Sequence, residues 1–351
     1  MPNQSRPRST SSRKKQHVRL ALTRDVGFRT KGTGLDHLDF EHNALPEIDF
    51  SEVDTSTRFL GYQLSCPLLI SSMTGGYADA LTVNRQLAEV CVEMHLALGV
   101  GSQRQAMERK ALHRTFSVIR EVAPDIPVIG NLGAAEVARL RDTGSVQRLV
   151  DLVRADAFAI HLNPLQELLQ SEGNPAFRGV LEGIALLVRE LSVPVIVKEI
   201  GAGISGEVAA RLVEAGVAYI DVAGAGGTSW AGIEILRGKR SRSRERFWDW
   251  GIPTASALRA VTPLKERNPG LTIIASGGIT TGVDAAKCIA LGADLVGSAR
   301  PMLHALARRK KRGLKTLLEE WVDELRWVMF LTGAKEIKQL QTKKLVSRLP
   351  L

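Results

Sequence analysis

The segment His161–Glu167 concentrates side chains that can bind a substrate or a metal ion, because a histidine, an asparagine, a glutamine and a glutamate follow one apolar run. A single carboxylate is too little for a metal cage made only of protein. It is enough for Mg²⁺, which keeps waters and takes other ligands from substrate phosphates. Glu167 is therefore a candidate magnesium ligand. Two simpler roles stay open: Glu167 as an acid that favours a helix N-terminus, and His161 as a hydrogen-bonded core residue.

Glycine-rich segments follow three apolar runs in the second half of the chain, at Ala223–Thr228, Ser276–Gly278 and Gly297–Arg300. Without bulky side chains, their backbone N–H groups could converge on a phosphate. The alternative is that the glycines serve tight turns with positive φ. Loops after the last two strands of a barrel commonly bind phosphate, which favours the first interpretation. A phosphate there, with room above for a flat ring, indicates flavin mononucleotide (FMN).

Lys198 ends another apolar run and could act as a Schiff-base nucleophile, as a cation beside an anionic flavin ring, or as an ion-pair partner of Glu199. If the glycine-rich loops hold FMN, the second role is favoured. The following stretch, Gly201–Gly206, matches the dinucleotide fingerprint G-x-G-x-x-G, with Asp221 about twenty residues later. We disfavour that interpretation because this unit is the fifth in a longer series of similar units.

Short apolar runs recur from residue 67 onward, each ending in small or polar residues and followed by a stretch with helical spacing. Continuous hydrophobicity is typical of strands buried on both faces of a parallel sheet. Eight strand–helix units predict an α/β fold, a (β/α)₈ TIM barrel with an N-terminal arm and a C-terminal helical extension; a doubly wound sheet is the alternative. The runs are Pro67–Ser71, Leu96–Val100, Pro127–Gly130, Ala157–Ile160, Pro194–Val197, Tyr219–Val222, Thr272–Ala275 and Asp294–Gly297.

The 351-residue chain has a formal net charge of +10, which is concentrated in three segments: 1–24, Arg237–Arg246 and Arg308–Lys315. Such clusters fit nucleic acid, a membrane surface, a phosphorylated substrate or plain solvated faces. We expect residues 1–12 to form a basic flexible tail and 13–351 a single FMN-binding domain whose arm clamps the substrate. The absence of a long apolar run argues against membrane insertion. Three scattered cysteines fit a reducing compartment, so we expect a cytoplasmic protein.

These strand ends, taken in order, resemble those of the type 2 isopentenyl-diphosphate isomerases, FMN-dependent (β/α)₈ barrels that interconvert isopentenyl and dimethylallyl diphosphate. The resemblance runs from Arg13 to the C-terminal helix, and the arm before Arg13 is longer than expected for the family. Each motif is common, but the ordered set is specific. The motifs are Arg13-Lys14-x-x-His17, Thr33-Gly34-Leu35-Asp36, Met73-Thr74-Gly75-Gly76, Gly101-Ser102-Gln103, Gly130-Asn131-Leu132-Gly133, His161-Leu162-Asn163 with Gln166-Glu167, Val197-Lys198-Glu199, Gly226-Gly227-Thr228 and Ser276-Gly277-Gly278.

The resemblance implies a role for each matching residue. FMN would be held by Met73, Thr74, Gly75, Ser102, Asn131, Lys198, Thr228, Gly277, Gly278, Ala299 and Arg300. The substrate would be bound by Arg13, Lys14, His17 and Arg104 at its diphosphate, and by Ser102, Gln103, Asn163 and Gln166. Glu167 would carry Mg²⁺, and the catalytic candidates are Gln166, His161 and Trp230.

The implied reaction is a 1,3-allylic proton shift in isoprenoid biosynthesis. The strand ends show no obvious carboxylate pair or catalytic cysteine, so the resemblance implies that reduced FMN acts as acid and base, with NADPH or NADH as its reductant. Trp230 could stabilise a carbocation-like intermediate through its π face. We expect a homo-oligomer, a tetramer or octamer, with a small-molecule diphosphate as substrate and neither nucleic acid nor membrane as partner.

Two other functions compete with this one. An FMN-dependent 2-hydroxy-acid oxidase or dehydrogenase would need a histidine base with a nearby arginine, and no histidine followed by glycine and arginine comes after the seventh apolar run. An RNA-binding protein would explain the basic segments but not the polar strand ends.

Overall fold

The computed structural model describes residues 10–238 and 241–348. At its centre, eight parallel strands, β4–β11, form a closed barrel in which neighbouring strands follow the order of the chain. A short sheet of β1 with β12 and a hairpin of β2 with β3 lie outside it. The described strands are β1 (Leu38–Phe40), β2 (Thr57–Phe59), β3 (Tyr62–Leu64), β4 (Leu68–Ile70), β5 (Ala97–Gly99), β6 (Val128–Gly133), β7 (Ala157–His161), β8 (Val195–Lys198), β9 (Tyr219–Asp221), β10 (Thr272–Ser276), β11 (Leu295–Ser298) and β12 (Leu345–Ser347).

The predicted (β/α)₈ barrel is confirmed, and each predicted run contains or overlaps one barrel strand. Several strands extend beyond the predicted apolar run and include the polar residue that follows it, such as His161 and Lys198. The register pairs His161 with Lys198 and Lys198 with Asp221. Because partners in a parallel ladder point to the same side, these polar side chains lie together where the strands end.

Helices connect the strands and cover the barrel. No helix in the described ranges is long and apolar enough to cross a membrane. Non-helical φ and ψ at Arg309 and Lys310 divide the longest helix into two parts. The helices are α1 (Thr10–Thr23), α2 (Ala80–Glu93), α3 (Arg104–Glu108), α4 (Arg114–Val122), α5 (Ala134–Val137), α6 (Gly144–Val153), α7 (Pro164–Leu169), α8 (Val180–Glu190), α9 (Gly206–Glu214), α10 (Trp230–Arg237), α11 (Arg242–Glu245), α12 (Thr254–Val261), α13 (Gly282–Ala290), α14 (Arg300–Leu331) and α15 (Ile337–Leu340), with 3₁₀ turns at Leu35–His37, Phe50–Glu52, Lys110–Leu112 and Thr262–Glu266.

The N-terminal arm includes a helix, α1, that packs against α10 and the start of α14. Of the predicted flexible tail 1–12, residues 1–9 lie outside the described part of the chain, and residues 10–12 belong to α1. The C-terminal end of α1 is held by side chains of α14, because Arg300 Nε and His304 Nε2 both contact the carbonyl oxygen of Ala21, each at 3.0 Å. Cationic and N–H donors stabilise the carbonyl end of a helix.

The basic cluster Arg308–Lys315 spans the kink of α14 at Arg309 and Lys310, and the part of the helix after the kink packs on α2. Lys311 pairs with Glu89 at 2.7 Å and Lys315 with Glu93 at 2.9 Å. The two lysines are one helical turn apart on α14 and the two glutamates are one turn apart on α2, so opposite charges face each other along the two helices. Lys311 and Lys315 therefore contribute electrostatic contacts between α14 and α2.

Candidate active site

A cavity of about 700 Å³ opens at the carboxyl ends of the barrel strands, beneath α1. Barrel enzymes place their chemistry at this face. Of the twenty-one site residues predicted from the sequence, twenty line the cavity. They are Arg13, Lys14, His17, Met73, Thr74, Gly75, Ser102, Arg104, Asn131, His161, Asn163, Gln166, Glu167, Lys198, Thr228, Trp230, Gly277, Gly278, Ala299 and Arg300.

Gln103 is the exception, and its predicted contact with substrate does not agree with its position. Its side chain is fully buried, with Nε2 donating to the carbonyl of Leu149 at 2.9 Å and Oε1 accepting from the backbone N–H of Asn131 at 3.0 Å. Both ends of the amide are thus used within the fold. Gln103 positions Asn131 from behind instead of lining the cavity.

The arm helix, α1, brings two cations, Arg13 and Lys14, to the cavity at the strand ends. Lys14 Nζ donates to the carbonyls of Gly75 at 2.9 Å and Ser102 at 2.5 Å. Burial, followed by the charge of Arg13, lowers the pKa of Lys14 to about 7. Arg104 enters from α3 and pairs with Glu136 at 3.1 Å. The side of the cavity formed by α1 and α3 therefore carries positively charged side chains that could bind an anion.

Glu234 joins the arm to the barrel, and sequence reasoning missed it. Its carboxylate, whose side chain is only 1% exposed, accepts from His17 Nε2 at 2.8 Å and from Gln166 Nε2 at 3.2 Å, and it pairs with Arg237. Burial alone would raise its pKa, but His17 and Arg237 lower it. The available signal was an acid between Ile233 and Ile235 on an apolar helix.

Helix α7 carries the polar residues of the fourth barrel strand end. Asn163 Nδ2 donates to Gln166 Oε1 and to Glu167 Oε1, both at 3.0 Å. The second oxygen of Glu167 accepts from the backbone N–H of Asn174 at 2.6 Å. Asn163 Oδ1 is buried without a partner, and Asn163 lines the cavity. These contacts fix the Glu167 carboxylate at the cavity wall.

Magnesium fits this wall only if a substrate supplies part of its ligand set. Within the described ranges, no group of three or more His, Cys, Asp and Glu side chains could hold a metal. The Glu167 carboxylate is a hard oxygen donor, as Mg²⁺ prefers, and Mg²⁺ commonly uses one or two carboxylates together with substrate phosphates and waters. The donor set therefore fits the predicted ion when a phosphate is bound.

His161 is held as a neutral imidazole. Its Nδ1 lies 2.8 Å from Asn131 Oδ1, which can only accept, so Nδ1 carries the proton. Burial, followed by the charges of Lys198 and Lys14, lowers the pKa of His161 to about 3. Nε2 is then an unprotonated acceptor. The ring can orient a donor at neutral pH but has no second proton to give.

Lys198 pairs with Asp221 and not with the Glu199 carboxylate, which removes one of the roles considered for it. Its Nζ lies 3.8 Å from Asp221 Oδ2 and donates to the Glu199 carbonyl. The Glu199 carboxylate turns the other way and accepts from the N–H groups of Ile200, Gly201 and Ala202. The first three amides of the G-x-G-x-x-G stretch are therefore occupied, since the N–H of Gly203 also donates to the carbonyl of Ala223, and this argues against the dinucleotide interpretation.

The glycine loops serve tight turns and also border the cavity, so both of the interpretations considered apply. Gly277 and Gly278 have φ of 100° and 74°, and a Cβ on Gly277 would lie 2.1 Å from the carbonyl oxygen of Gly224. The N-terminus of α14 follows at Ala299 and Arg300. Because the Arg300 guanidinium is turned toward the arm, its backbone is the part that faces a ligand near this helix end.

FMN fits this set of residues. The hydroxyl oxygen of Ser71, on the cavity wall between β4 and β11, is buried without a partner, as expected where a polar ligand belongs. The two glycine loops leave backbone close to the cavity, and a helix N-terminus is favourable for a phosphate. Lys198, at the end of β8, supplies a cation to the same cavity.

The sequence of the chain is similar to a known protein family and to curated relatives. Residues 124–347 match the model of the FMN-dependent dehydrogenase family. Curated relatives called isopentenyl-diphosphate delta-isomerase come from Pelodictyon phaeoclathratiforme (46% identical over 97% of this chain and 98% of the relative), Chlorobium luteolum (47%, 96% and 96%) and Nostoc sp. (44%, 99% and 99%).

Solved structures share the fold at low identity. A lactate oxidase from Pediococcus acidilactici is 18% identical, covers 96% of this chain and 95% of its own, and gives a TM-score of 0.68. Flavocytochrome b2 is 19% identical, covers 94% and 82%, and gives 0.69. At such low identity these likenesses concern the fold alone, whereas the curated relatives above are similar in sequence over nearly the whole chain. The chain therefore belongs to the type 2 isopentenyl-diphosphate delta-isomerases, built on an FMN-dependent dehydrogenase domain.

Proposed function

We propose that this isomerase converts isopentenyl diphosphate to dimethylallyl diphosphate by a 1,3-allylic proton shift, with reduced FMN and Mg²⁺ bound. The observation that carries the proposal is the placement of Arg13, Lys14 and His17 on α1, over the same cavity that residues of α7 and Trp230 line. Cations next to an amide-rich, aromatic wall suit a substrate with an anionic head and an alkene tail.

The diphosphate is proposed to lie under α1, where Arg13, Lys14, His17 and Arg104 meet. Arginine presents a planar fork of donors and lysine a point charge, and both suit phosphate oxygens. Gln170, with its amide in the hydrogen-bonding orientation, accepts from Arg13 Nη1 at 3.0 Å. This contact would hold the Arg13 guanidinium toward the diphosphate.

The alkene is proposed to lie between the flavin and the wall formed by His161, Asn163, Gln166 and Trp230. When bound, reduced FMN supplies the acid and base for adding and removing protons. His161 orients the site as a neutral acceptor, and the Gln166 amide is fixed by Asn163 on one side and Glu234 on the other. Trp230 offers a π face to positive charge developing on carbon and limits the access of water.

The FMN site is proposed to comprise Lys198 beside the ring system and the backbone of Gly277, Gly278, Ala299 and Arg300 around the phosphate. The other members are Met73, Thr74, Gly75, Ser102, Asn131 and Thr228, all of which line the cavity. The Thr74 hydroxyl bonds to Asn84, so Thr74 would contribute through its backbone. NADPH or NADH is proposed as the reductant.

The proposal is tested by assaying purified protein with isopentenyl diphosphate. We expect a yellow protein that releases FMN and forms dimethylallyl diphosphate only when the flavin is reduced, by dithionite or by NADPH or NADH, and Mg²⁺ is present. A protein that binds no FMN, or that forms no product with reduced FMN and Mg²⁺ supplied, would overturn it.

Glu167 is proposed as the magnesium ligand from the protein. Glu167→Gln keeps the shape of the side chain but removes its charge, so half-maximal activity should need at least about tenfold more Mg²⁺. Glu136→Gln is a matched control, because Glu136 also lines the cavity as an acid and pairs with Arg104. Equal Mg²⁺ titrations for wild type and Glu167→Gln would exclude the assignment.

Two coarser features of the protein complete the proposal. A reducing, cytoplasmic compartment is supported by Cys66, Cys91 and Cys288, which are free and buried. A homo-oligomer, tetramer or octamer, is supported by exposed apolar side chains near the C-terminal end of α14, where Trp327 is 55% exposed. The segment around Asn43 lies beside this surface, because the N–H of Asn43 bonds to the carbonyl of Leu331. Light scattering of the holoenzyme would measure the assembly; a monomer at micromolar concentration would contradict it.

A further inference from the structure

The hydrogen bond between His17 and Glu234 determines which nitrogen of the His17 ring carries a proton. Nε2 lies 2.8 Å from Glu234 Oε1. An ionised carboxylate only accepts hydrogen bonds, so Nε2 must be the donor. The carboxylate stays ionised because it also accepts from Gln166 and pairs with Arg237. The opposite tautomer would place two acceptors face to face in a buried site.

The other ring nitrogen, Nδ1, belongs to a ring that lines the cavity. Within the described residues it has no hydrogen-bond partner, and it is not among the polar atoms sealed from solvent without one. The ring lines the cavity on the side of Arg13 and Lys14, and Trp230 packs against it with ring centroids 5.3 Å apart. In a neutral ring with its proton on Nε2, Nδ1 is an acceptor, and it would repel a phosphate oxygen.

The charged groups around His17 favour a neutral ring in the free enzyme. Burial lowers its pKa, the Glu234 carboxylate opposes that effect, and Arg237 on α10 and Arg13 on α1 lower the pKa further. The acids Glu172 and Glu167 act by charge on Arg13, as Glu234 does. A diphosphate beside Nδ1 would add negative charge on the side where the cations now dominate.

We propose that Glu234 is a positioning residue that keeps the His17 proton on Nε2, so that binding of the substrate diphosphate draws one further proton from solvent onto Nδ1. The bound state then has an imidazolium that donates to Glu234 through Nε2 and to a phosphate oxygen through Nδ1. No covalent bond to substrate forms or breaks in this step. The inference rests on the proposed function, which places the diphosphate under α1.

The test counts protons taken up when isopentenyl diphosphate binds to holoenzyme with oxidised FMN and saturating Mg²⁺, where the proposed chemistry does not run. Titration calorimetry at pH 6.5 in two buffers of different ionisation enthalpy measures that number. Wild-type protein should take up about one proton per site more than His17→Asn. Glu234→Gln frees the ring to place its single proton on Nδ1, so it should bind within about tenfold of wild type without that extra proton.

Lys14→Arg is the control for the other titrating cation, because arginine stays charged throughout. It should keep most of the extra proton uptake, and retained flavin absorbance verifies that each variant is folded. Equal proton uptake in wild type and His17→Asn would mean that the ligand itself takes the proton and would overturn the inference, as would wild-type uptake in Glu234→Gln. Absence of binding or turnover by the wild type would instead overturn the proposed function.

Discussion

At the scale of single residues, the site shifts two pKa values in ways that matter for an anionic substrate. His161 is kept neutral by burial and by the nearby Lys198 and Lys14, with a pKa of about 3. Lys14 is brought to about 7 by burial and by Arg13. Neither value could be read from the sequence, because each depends on neighbours that come from other elements. Both shifts follow first from burial and then from the crowding of cations into one cavity.

Lys14 should make substrate affinity depend on pH. As the pH rises through about 7, the free enzyme loses the ammonium proton, and with it one attraction to the diphosphate. The KM for isopentenyl diphosphate should therefore rise above pH 7, approaching about tenfold per pH unit. Lys14→Arg should remove the share of this rise that belongs to Lys14 and leave only the share linked to protonation of His17, because a guanidinium stays charged. Parallel KM profiles between pH 6 and 9 for both proteins would show that Lys14 does not titrate there.

At the scale of elements, buried side chains fasten helix ends to the barrel on the face opposite the cavity. The Arg120 guanidinium donates to Ala123 and Arg154, the residues that end α4 and α6, and pairs with Asp156 before β7 at 2.5 Å. Asp156 in turn accepts from Tyr62 Oη at 2.9 Å. This arrangement satisfies carbonyls that a helix leaves without partners.

Arg120→Met should destabilise the protein strongly without touching the cavity. It leaves the Asp156 charge and several buried carbonyls without their donor, which costs about 3–5 kcal/mol. The melting temperature should fall markedly, while kcat of the folded protein stays close to wild type. Arg189→Met is the control, because Arg189 is 67% exposed in its pair with Glu190, and such pairs contribute at most about 1 kcal/mol. Similar melting temperatures for the two variants would refute the assigned role.

At the scale of the whole molecule, the site is shared between a barrel and a helix that precedes it. The strands β4–β11 close on themselves without the arm. The arm reaches the barrel through local contacts, such as Arg300 to Ala21, His17 to Glu234 and the N–H of Ser229 to Val26. A closed hydrogen-bonded ladder has no open edge, so the barrel does not need the arm to complete it.

Truncation should separate the two parts. Removing residues 1–9 leaves α1 whole and should leave kcat/KM unchanged. Removing residues 1–17 deletes Arg13, Lys14 and His17, and should abolish measurable isomerase activity while FMN remains bound and the circular dichroism spectrum remains that of a folded barrel. Identical activity of the two truncated proteins would show that α1 does not bind the diphosphate.

Much of the fold could be predicted because burial on both faces leaves a local mark. The runs before His161 and Lys198 are continuous and apolar, and each polar residue that ends a run marks the cavity edge. Gln103 was misplaced for the same reason: its position after a run predicted a cavity residue, yet its side chain turns inward to Leu149. Sequence position gives the end of a strand but not the direction of each side chain there.

The sequence by itself determined the barrel, its family and most of the residues around the cavity, because apolar runs and ordered motifs are local properties of the chain. Only the tertiary structure decided how those residues are paired. Glu234 meets His17 across 217 positions, and Arg300 holds the arm across 279. Protonation states and contacts of this kind depend on distances between elements far apart in the chain, and those distances exist only once the barrel has closed.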